Sequence, residues 1–297
     1  MLTRSMLSCL LLLAPTVSLF AGNETNYTYL ALGDSVAFGF NPLLFPPFAP
    51  IPPVPTPAQF TGYPESVAQV EHLLQSKKEV NAACPGETSG SFITGAMPDN
   101  GCHGLGPQGQ PPFKATIGLH TNYTGSQLDF AVSQLSGNKH IDLVTLSIGG
   151  NDLLLVEEVC SLQPPAAFPT CVNTLLPGVL QSYEVNLMSI LAAIRANYKG
   201  TLVLVNNYSP SADPLFMQAV AALNFEMTQA AATVTPPVKI ADAYAAFVNA
   251  SVNFGGDPCA AGLLISLSPL FPGCDIHPSP LGRDLLASTV ISAAGGK

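Results

Sequence analysis

The sequence predicts an α/β fold in which a central parallel sheet lies between two layers of helices. Short apolar, β-branched runs alternate with longer stretches of helical periodicity from residue 27 to the end of the 297-residue chain. Two of the runs, residues 143–148 (LVTLSI) and 201–205 (TLVLV), are almost continuously apolar, as is typical of strands covered on both faces. Strand–helix alternation of this kind favours parallel strands joined by right-handed crossovers.

The individual elements follow from the same patterns. Strands are predicted at residues 29–32, 80–83, 141–148, 202–205 and 238–241. Helices are predicted at residues 65–76, 125–135, 180–196, 214–232 and 281–293. In the third helix Leu187, Ile190, Leu191 and Ile194 recur at helical spacing, and Gly200 marks its end before the next strand. Because no repeat or linker interrupts this order, we expect one domain over residues 28–295.

The composition supports a sizeable core and excludes some partners. Hydrophobic residues make up 47% of the chain. Charged residues make up only 10%, against roughly 25% in ordinary soluble domains. The chain has 10 Lys and Arg residues and 19 Asp and Glu residues, which gives a net charge of −9. Without a basic stripe, neither a nucleic acid nor an anionic membrane surface is an expected partner.

The N-terminus predicts export. Arg4 supplies a short positive region, an apolar run follows at residues 7–14, and small residues suit cleavage near Ala21–Gly22. A membrane anchor is the alternative, but the apolar run is well short of the roughly 20 residues that a spanning helix needs. We therefore expect residues 1–21 to be a signal peptide. The mature protein is expected to be secreted, extracellular or periplasmic, with no membrane span.

The cysteines agree with an oxidising compartment. Removal of Cys9 with the signal peptide leaves six, an even number that predicts three disulfides. The six are Cys84, Cys102, Cys160, Cys171, Cys259 and Cys274. Sequence alone does not fix the connectivity, although sequential pairing is the simplest because each pair then encloses a short loop. Neither a Cys-x-x-Cys nor an HExxH motif is present, so no metal site is expected.

A candidate nucleophile follows the first predicted strand. Residues 30–35 (LALGDS) run out of that strand into Gly33-Asp34-Ser35, so Ser35 lies on a strand-to-helix turn. Open α/β sheets bind ligands at the carboxyl ends of their strands. A serine there becomes a nucleophile when a base, a group that orients the base and oxyanion donors surround it. Alone, Gly-Asp-Ser is more often an ordinary turn.

Three further motifs give the serine its context. They are residues 81–88 (NAACPGET), 149–152 (GGND) and 275–278 (DIHP), each beside a predicted element. With the serine motif, in this order, they resemble the conserved blocks of the SGNH/GDSL hydrolases over residues 28–293. The resemblance implies a three-layer, flavodoxin-like fold and hydrolysis of carboxylic esters through an acyl-enzyme, with no cofactor.

The resemblance also assigns roles to individual residues. Ser35 matches the nucleophile, and its own N–H matches one oxyanion donor. The N–H of Gly86 and the side-chain amide of Asn151 match the second and third donors. His277 matches the base that takes the serine proton and returns it to the leaving alcohol. Some secreted members of the family also have sequential disulfides.

The chain departs from the family pattern beside the histidine. The family usually has its acid three residues before the histidine, where this chain has Cys274. Asp275 stands two residues before His277, and residues i and i+2 of an extended segment face the same side. Asp275 can therefore orient the ring as the third member of a triad. A main-chain carbonyl is the alternative, and would leave a Ser–His dyad.

The substrate is less defined. Residues 41–64 contain nine prolines, which exclude a helix or an inner strand, and the segment is either a stiff surface loop or a rim or lid of the active site. The apolar residues near it favour a lipid-like or short aliphatic ester; they are Phe40, Leu43, Leu44, Phe45, Phe48 and Ile51. A carbohydrate ester, a thioester or a non-catalytic binding role are the alternatives. We expect a monomer.

Overall fold

The computed structural model describes residues 28–45, 54–70, 79–106 and 109–295. The predicted signal peptide, residues 46–53 of the proline-rich segment and the second half of the helix predicted at 65–76 lie outside these residues. In the part of the chain that is described, no helix is long and apolar enough to cross a membrane.

The central sheet confirms the predicted α/β class. Its five parallel strands are β1 (Tyr29–Gly33), β2 (Glu79–Asn81), β3 (Leu143–Ser147), β4 (Thr201–Val205) and β5 (Lys239–Ala241). They are arranged in the order β2-β1-β3-β4-β5, which is the flavodoxin-like order. Gly33 pairs with Ser147, so β1 and β3 end at the same level. The strand order reverses between these two strands, and a ligand crevice is expected at their carboxyl ends.

Helices cover both faces of this sheet. They are α1 (Ser35–Phe38), α2 (Tyr63–Ala68), α3 (Ser89–Ile93), α4 (Phe113–Thr116), α5 (Gln127–Gly137), α6 (Gly150–Ser161), α7 (Phe168–Asn197), α8 (Pro214–Ala231), α9 (Ala243–Ser251) and α10 (Pro280–Ala294). Two short strands, β6 (Leu264–Ser266) and β7 (Cys274–Pro278), form a separate antiparallel pair.

The two cores explain the nearly continuous apolar strands. Leu202 and Leu204 of β4 are buried among side chains of α5, α7 and α8. Val203 and Val205, which point to the opposite face, are buried among side chains of α2, α9 and α10. Each such side chain contributes about 1.5–3 kcal/mol on burial. A polar residue at any of these four positions would therefore weaken the packing of one of the two helix layers against the sheet.

Two predictions about local structure were wrong. Residues 41–64 were expected to be free of helix, yet 3₁₀ turns form at Pro42–Leu44 and Pro57–Gln59, and α2 begins at Tyr63. Prolines stand in the first positions of these elements, where an N–H is not needed. The third predicted helix was expected to begin at residue 180, but α7 begins at Phe168 and continues through Pro177.

The six cysteines are paired sequentially. Disulfides join Cys84 to Cys102, Cys160 to Cys171, and Cys259 to Cys274. The first ties the loop after β2 to the segment before α4, the second joins the end of α6 to the start of α7, and the third attaches β7 to the segment after α9. Each bond thus restrains a connection between elements.

Candidate active site

Ser35 lies at the carboxyl edge of the sheet, as the first residue of α1. The side chain of Asp34 accepts a hydrogen bond from the main-chain N–H of Val36 (3.0 Å) and so caps this helix. The preceding Gly33 has φ +138°, and an added Cβ would lie 2.1 Å from the carbonyl oxygen of Ser147. Ser35 is only 8% exposed, and it lines a cavity that opens beside it.

His277 lies on β7 and lines the same cavity. Its Nδ1 atom and Asp275 Oδ1 form a short hydrogen bond, and its main-chain N–H donates to the same oxygen (2.9 Å). Burial alone would raise the pKa of Asp275, but the hydrogen bond and the charge of the His277 ring lower it below its ordinary value. With Nδ1 bound to Asp275, Nε2 is the ring nitrogen left for proton transfer.

Two neighbours restrict the histidine further. The hydroxyl of Tyr208 donates a hydrogen bond to the main-chain oxygen of Ile276 (2.8 Å), between the aspartate and the histidine. The ring of Phe40 lies 4.7 Å from the His277 ring, centroid to centroid. Phe40 belongs to an aromatic cluster that includes Phe45, at 5.5 Å, so the beginning of the proline-rich segment packs beside the candidate base.

Asn151 lies in the first turn of α6 and also lines the cavity. Its Nδ2 atom donates to the main-chain oxygen of Glu87 (3.0 Å), and its Oδ1 atom accepts from Asn100 Nδ2 (3.1 Å). These bonds fix the orientation of the amide. Because the amide nitrogen carries two hydrogens, one remains to donate to a ligand.

Gly86 is not among the residues that line the cavity. Gly86 is buried, and its main-chain oxygen accepts a hydrogen bond from the N–H of Asn100 (2.8 Å). Its φ is +86°, and an added Cβ would lie 2.4 Å from the main-chain oxygen of Asn100. The structure thus brings Ser35, Asn151 and His277 onto one cavity, with Asp275 bound to the histidine ring. Gly86 is linked to Asn151 through Asn100, which donates a hydrogen bond to each.

Buried carboxyl groups surround these residues. Burial raises the pKa of Asp34 to about 7; the Val36 N–H and the His277 charge oppose this shift. Burial likewise raises the pKa of Asp152 to about 6, although its carboxylate accepts hydrogen bonds from the Ser89 hydroxyl (2.5 Å) and main-chain N–H (2.9 Å).

Gln127 is a buried residue beside the nucleophile that was not identified from the sequence. The side chain of Gln127 accepts a hydrogen bond from the N–H of Gly33 (2.6 Å) and donates one to its carbonyl (2.9 Å). The same nitrogen donates to Glu87 Oε2 (3.0 Å). Gln127 thus connects the turn before Ser35 to the loop of Gly86. A single glutamine at the start of α5 carries no pattern by which a sequence could identify this role.

The cavity has a volume of about 280 Å³, and its lining is mainly apolar. Its lining beyond the candidate catalytic residues comes largely from α6, α7 and α8, including Leu153, Val156, Phe168, Val172, Leu215 and Phe216. None of the described apolar residues of the proline-rich segment lines it. Instead Phe40, Leu44 and Phe45 pack against the core, and Phe48 and Ile51 lie outside the described residues.

Among the residues that the structure describes, two groups contain residue types that bind metals. They are Cys84, Glu87 and Cys102, and Asp99, Cys102 and His103. Both groups include disulfide-bonded sulfur atoms, which lack the thiolate charge that binds a metal.

Comparison with known proteins agrees with these features. Residues 31–285 match the model of the GDSL-like lipase/acylhydrolase family. No curated protein sequence matches the chain significantly.

Solved structures of similar fold are distant in sequence. Phospholipase A1 from Streptomyces albidoflavus is 18% identical, with 89% of this chain and 98% of that chain covered and a TM-score of 0.57. The extracellular lipase from Streptomyces rimosus is 17% identical, with the same coverage and the same TM-score. The acetylxylan esterase from Geobacillus stearothermophilus is 16% identical, with 91% and 94% covered and a TM-score of 0.50. At these identities the likeness concerns the fold.

Proposed function

Because the chain belongs to the GDSL-like lipase/acylhydrolase family, whose members hydrolyse carboxylic esters, we propose that it is a secreted serine hydrolase acting on esters with an apolar acyl chain. One observation carries the proposal. Ser35, His277 and Asn151 lie on a single cavity, and the rest of its lining is mainly apolar. A nucleophile, a base and an oxyanion donor thus adjoin a space suited to a hydrocarbon chain.

The reaction follows from the chemistry of these groups. The hydroxyl of Ser35 attacks the ester carbonyl carbon while Nε2 of His277 takes its proton. The oxyanion of the tetrahedral intermediate accepts hydrogen bonds from the N–H groups of Ser35 and Gly86 and from the Asn151 amide. Collapse expels the alcohol, which receives the proton from His277. Water then attacks the acyl-enzyme by the same route and releases the acid.

Asp275 acts in this mechanism as the orienting acid. Its carboxylate accepts the Nδ1 proton of His277, which fixes the tautomer with a free Nε2 and stabilises the imidazolium formed during attack. The low pKa of Asp275 keeps the carboxylate ionised in neutral solution. We therefore favour the triad over the dyad that a main-chain carbonyl would leave.

An apolar acyl chain suits the cavity better than a sugar. The Asn206 amide is already engaged, because it donates to Asp242 (2.9 Å) and accepts from the Tyr244 N–H (2.9 Å). The hydroxyl oxygen of Ser211 accepts from the Asp213 N–H (3.0 Å). Polar lining groups that are already paired have fewer hydrogen bonds to offer sugar hydroxyls. An acetylated carbohydrate, as in the Geobacillus esterase, remains the second candidate substrate.

The proposal of export has separate support. The described cysteines form three disulfides, and structural disulfides are characteristic of oxidising compartments. One neighbour in fold is described as an extracellular lipase. Residues 1–21 are the proposed signal peptide, and N-terminal sequencing of the exported protein tests the cleavage near Ala21–Gly22.

Covalent labelling and an ester panel test the activity. A fluorophosphonate should label the wild-type protein at Ser35, and Ser35→Ala should abolish both labelling and turnover. p-Nitrophenyl esters with acyl chains from C2 to C16, with acetylated xylan alongside, should show turnover that rises above the acetyl ester. An unlabelled protein, or a Ser35→Ala variant that retains more than a few per cent of wild-type turnover, contradicts the proposal. Preference for acetylated xylan favours the carbohydrate esterase.

A further inference from the structure

We infer that the cavity is an acyl-chain site of limited length, closed by the disulfide-linked junction of α6 and α7, and that it selects acyl chains of about eight to twelve carbons. The inference rests on the proposed function and assigns its acyl specificity. Three observations support it. They are the course of α6 from Asn151 along the cavity, the residues that form the cavity wall at the end of α6, and the cavity volume.

Helix α6 runs along the cavity from the candidate catalytic end. Asn151 is in its first turn, Val156 and Glu157 line the cavity further along, and Cys160 lies in its last turn. At about 1.5 Å of rise per residue, Cys160 is about 13 Å along the helix from Asn151. A chain attached at Ser35 and extending along α6 therefore approaches the Cys160–Cys171 disulfide.

The far wall is a small hydrophobic cluster around this disulfide. Val156, Cys160 and Val172 form its buried part, and Phe168 and Leu215 are among the side chains packed against it. All of these except Cys160 line the cavity. The Cys160–Cys171 bond joins the end of α6 to the first turn of α7. Since the bond holds the two helix ends together, the wall cannot open by separating them.

The volume limits the length of the chain. An engineered apolar cavity of about 150 Å³ accommodates benzene, which has six carbons. The present cavity of about 280 Å³ therefore holds about twice that number, or a chain of about eight to twelve carbons. The acidic residue Glu157 also lines the cavity, and burial raises its pKa above its ordinary value.

A matched pair of variants on α8 tests the site. Ala219 is nearly buried and lines the cavity, whereas Ala221 is exposed on the same helix. Ala219→Leu should lower the ratio of kcat/KM for the C12 ester to that for the C4 ester by at least about tenfold, the effect of one methylene that no longer fits an apolar pocket. Ala221→Leu introduces the same side chain outside the cavity and should leave the ratio as in wild type.

Two further variants act on the far wall. Phe168→Ala removes a lining ring and should raise the ratio of C16 to C8 turnover. The double substitution Cys160→Ser and Cys171→Ser releases the α6–α7 junction and should raise it as well. Circular dichroism and melting temperature identify a variant that fails to fold; in that case the Ala219→Leu and Ala221→Leu comparison decides.

The outcomes separate this inference from the proposed function. A small methyl fluorophosphonate does not reach the far wall, so its failure to label wild-type Ser35 overturns the proposed hydrolase. If Ser35 is labelled but the ratio of kcat/KM for the C12 ester to that for the C4 ester is the same in Ala219→Leu and Ala221→Leu, only the acyl-chain site is overturned. A wild-type preference for the C2 ester, or undiminished turnover at C16, also overturns it.

Discussion

Asp275→Asn is the substitution that distinguishes a catalytic triad from a dyad. In the structure Asp275 Oδ1 accepts hydrogen bonds from both the ring and the main-chain N–H of His277. Asparagine has nearly the same shape, so the loop and the main-chain bond should be retained. It carries no charge, however. If its amide rotates, it gives up the main-chain bond, presents a donor to Nδ1 and stabilises the tautomer with its proton on Nε2, which cannot accept the Ser35 proton.

The expected loss follows from these contacts. A hydrogen bond to a charged group contributes about 1.5–3 kcal/mol, and each 1.36 kcal/mol of transition-state stabilisation corresponds to about tenfold in rate. Loss of this charged hydrogen bond to the ring should therefore lower kcat by about 10- to 10²-fold. The change reaches about 10⁴ if the tautomer is also lost, as in the serine protease precedent.

The assay is kcat against pH with a p-nitrophenyl ester, for wild type, Asp275→Asn and His277→Ala. Asp257→Asn is the matched control, because Asp257 accepts a main-chain hydrogen bond from Cys259, in the segment that the disulfide joins to β7. It should retain turnover close to wild type. An Asp275→Asn variant within tenfold of wild type would refute the triad and leave a Ser35–His277 dyad.

Two further substitutions, reduction of the disulfides and a change of pH also test the site and the fold. Asn151→Ala should lower kcat by about 10²–10³ with little change in KM; a change confined to KM would limit Asn151 to substrate binding. Gly86→Ala should destabilise the fold and lower kcat, because φ is +86° and the added Cβ would lie 2.4 Å from a main-chain oxygen; a fully active, equally stable variant contradicts this. Reduction should lower the melting temperature, since closure of the Cys84–Cys102 loop contributes about 3 kcal/mol in the chain-entropy model; six free thiols in the exported protein would rule out the disulfides. Because burial raises the pKa of Asp34 to about 7 and of Asp152 to about 6, the folded state holds protons that the unfolded chain releases near pH 4. The melting temperature should therefore fall as pH rises from about 5 to 8 and fall less in Asp34→Asn; a steady rise in wild type contradicts it.

The sequence predicted the fold where burial imposes a strong pattern. The runs of β3 and β4 are apolar because Leu202 and Val203 face two different helix layers, and the parallel sheet could be inferred from that pattern. Helices α1, α3 and α4 span only four or five residues each. Such short helices depend on tertiary contacts rather than on propensity, and were not predicted.

The candidate site was predictable only in part. The motifs identified Ser35, Asn151 and His277, which the structure brings onto one cavity. The apolar wall could not be inferred, because α6, α7 and α8 contribute to it from positions far apart in the sequence. The described apolar residues in and beside the proline-rich segment do not line this cavity, since Phe40 and Phe45 pack in an aromatic cluster beside the base.

The hydrogen-bonded ring between Gln127 and Gly33 affects how the molecule loses activity. The two bonds that Gln127 makes to the N–H and carbonyl of Gly33 resemble the paired bonds between two facing residues of antiparallel strands. A side chain of α5 thus adds to the hydrogen bonding at the end of β1, where the Gly33 carbonyl also accepts from the Cys84 N–H (3.0 Å). The Gly33 amide can exchange its hydrogen with solvent only when its bond to the buried side chain of Gln127 opens. Its exchange should be among the slowest in the protein, and in denaturant enzymatic inactivation should coincide with loss of helical circular dichroism rather than precede it.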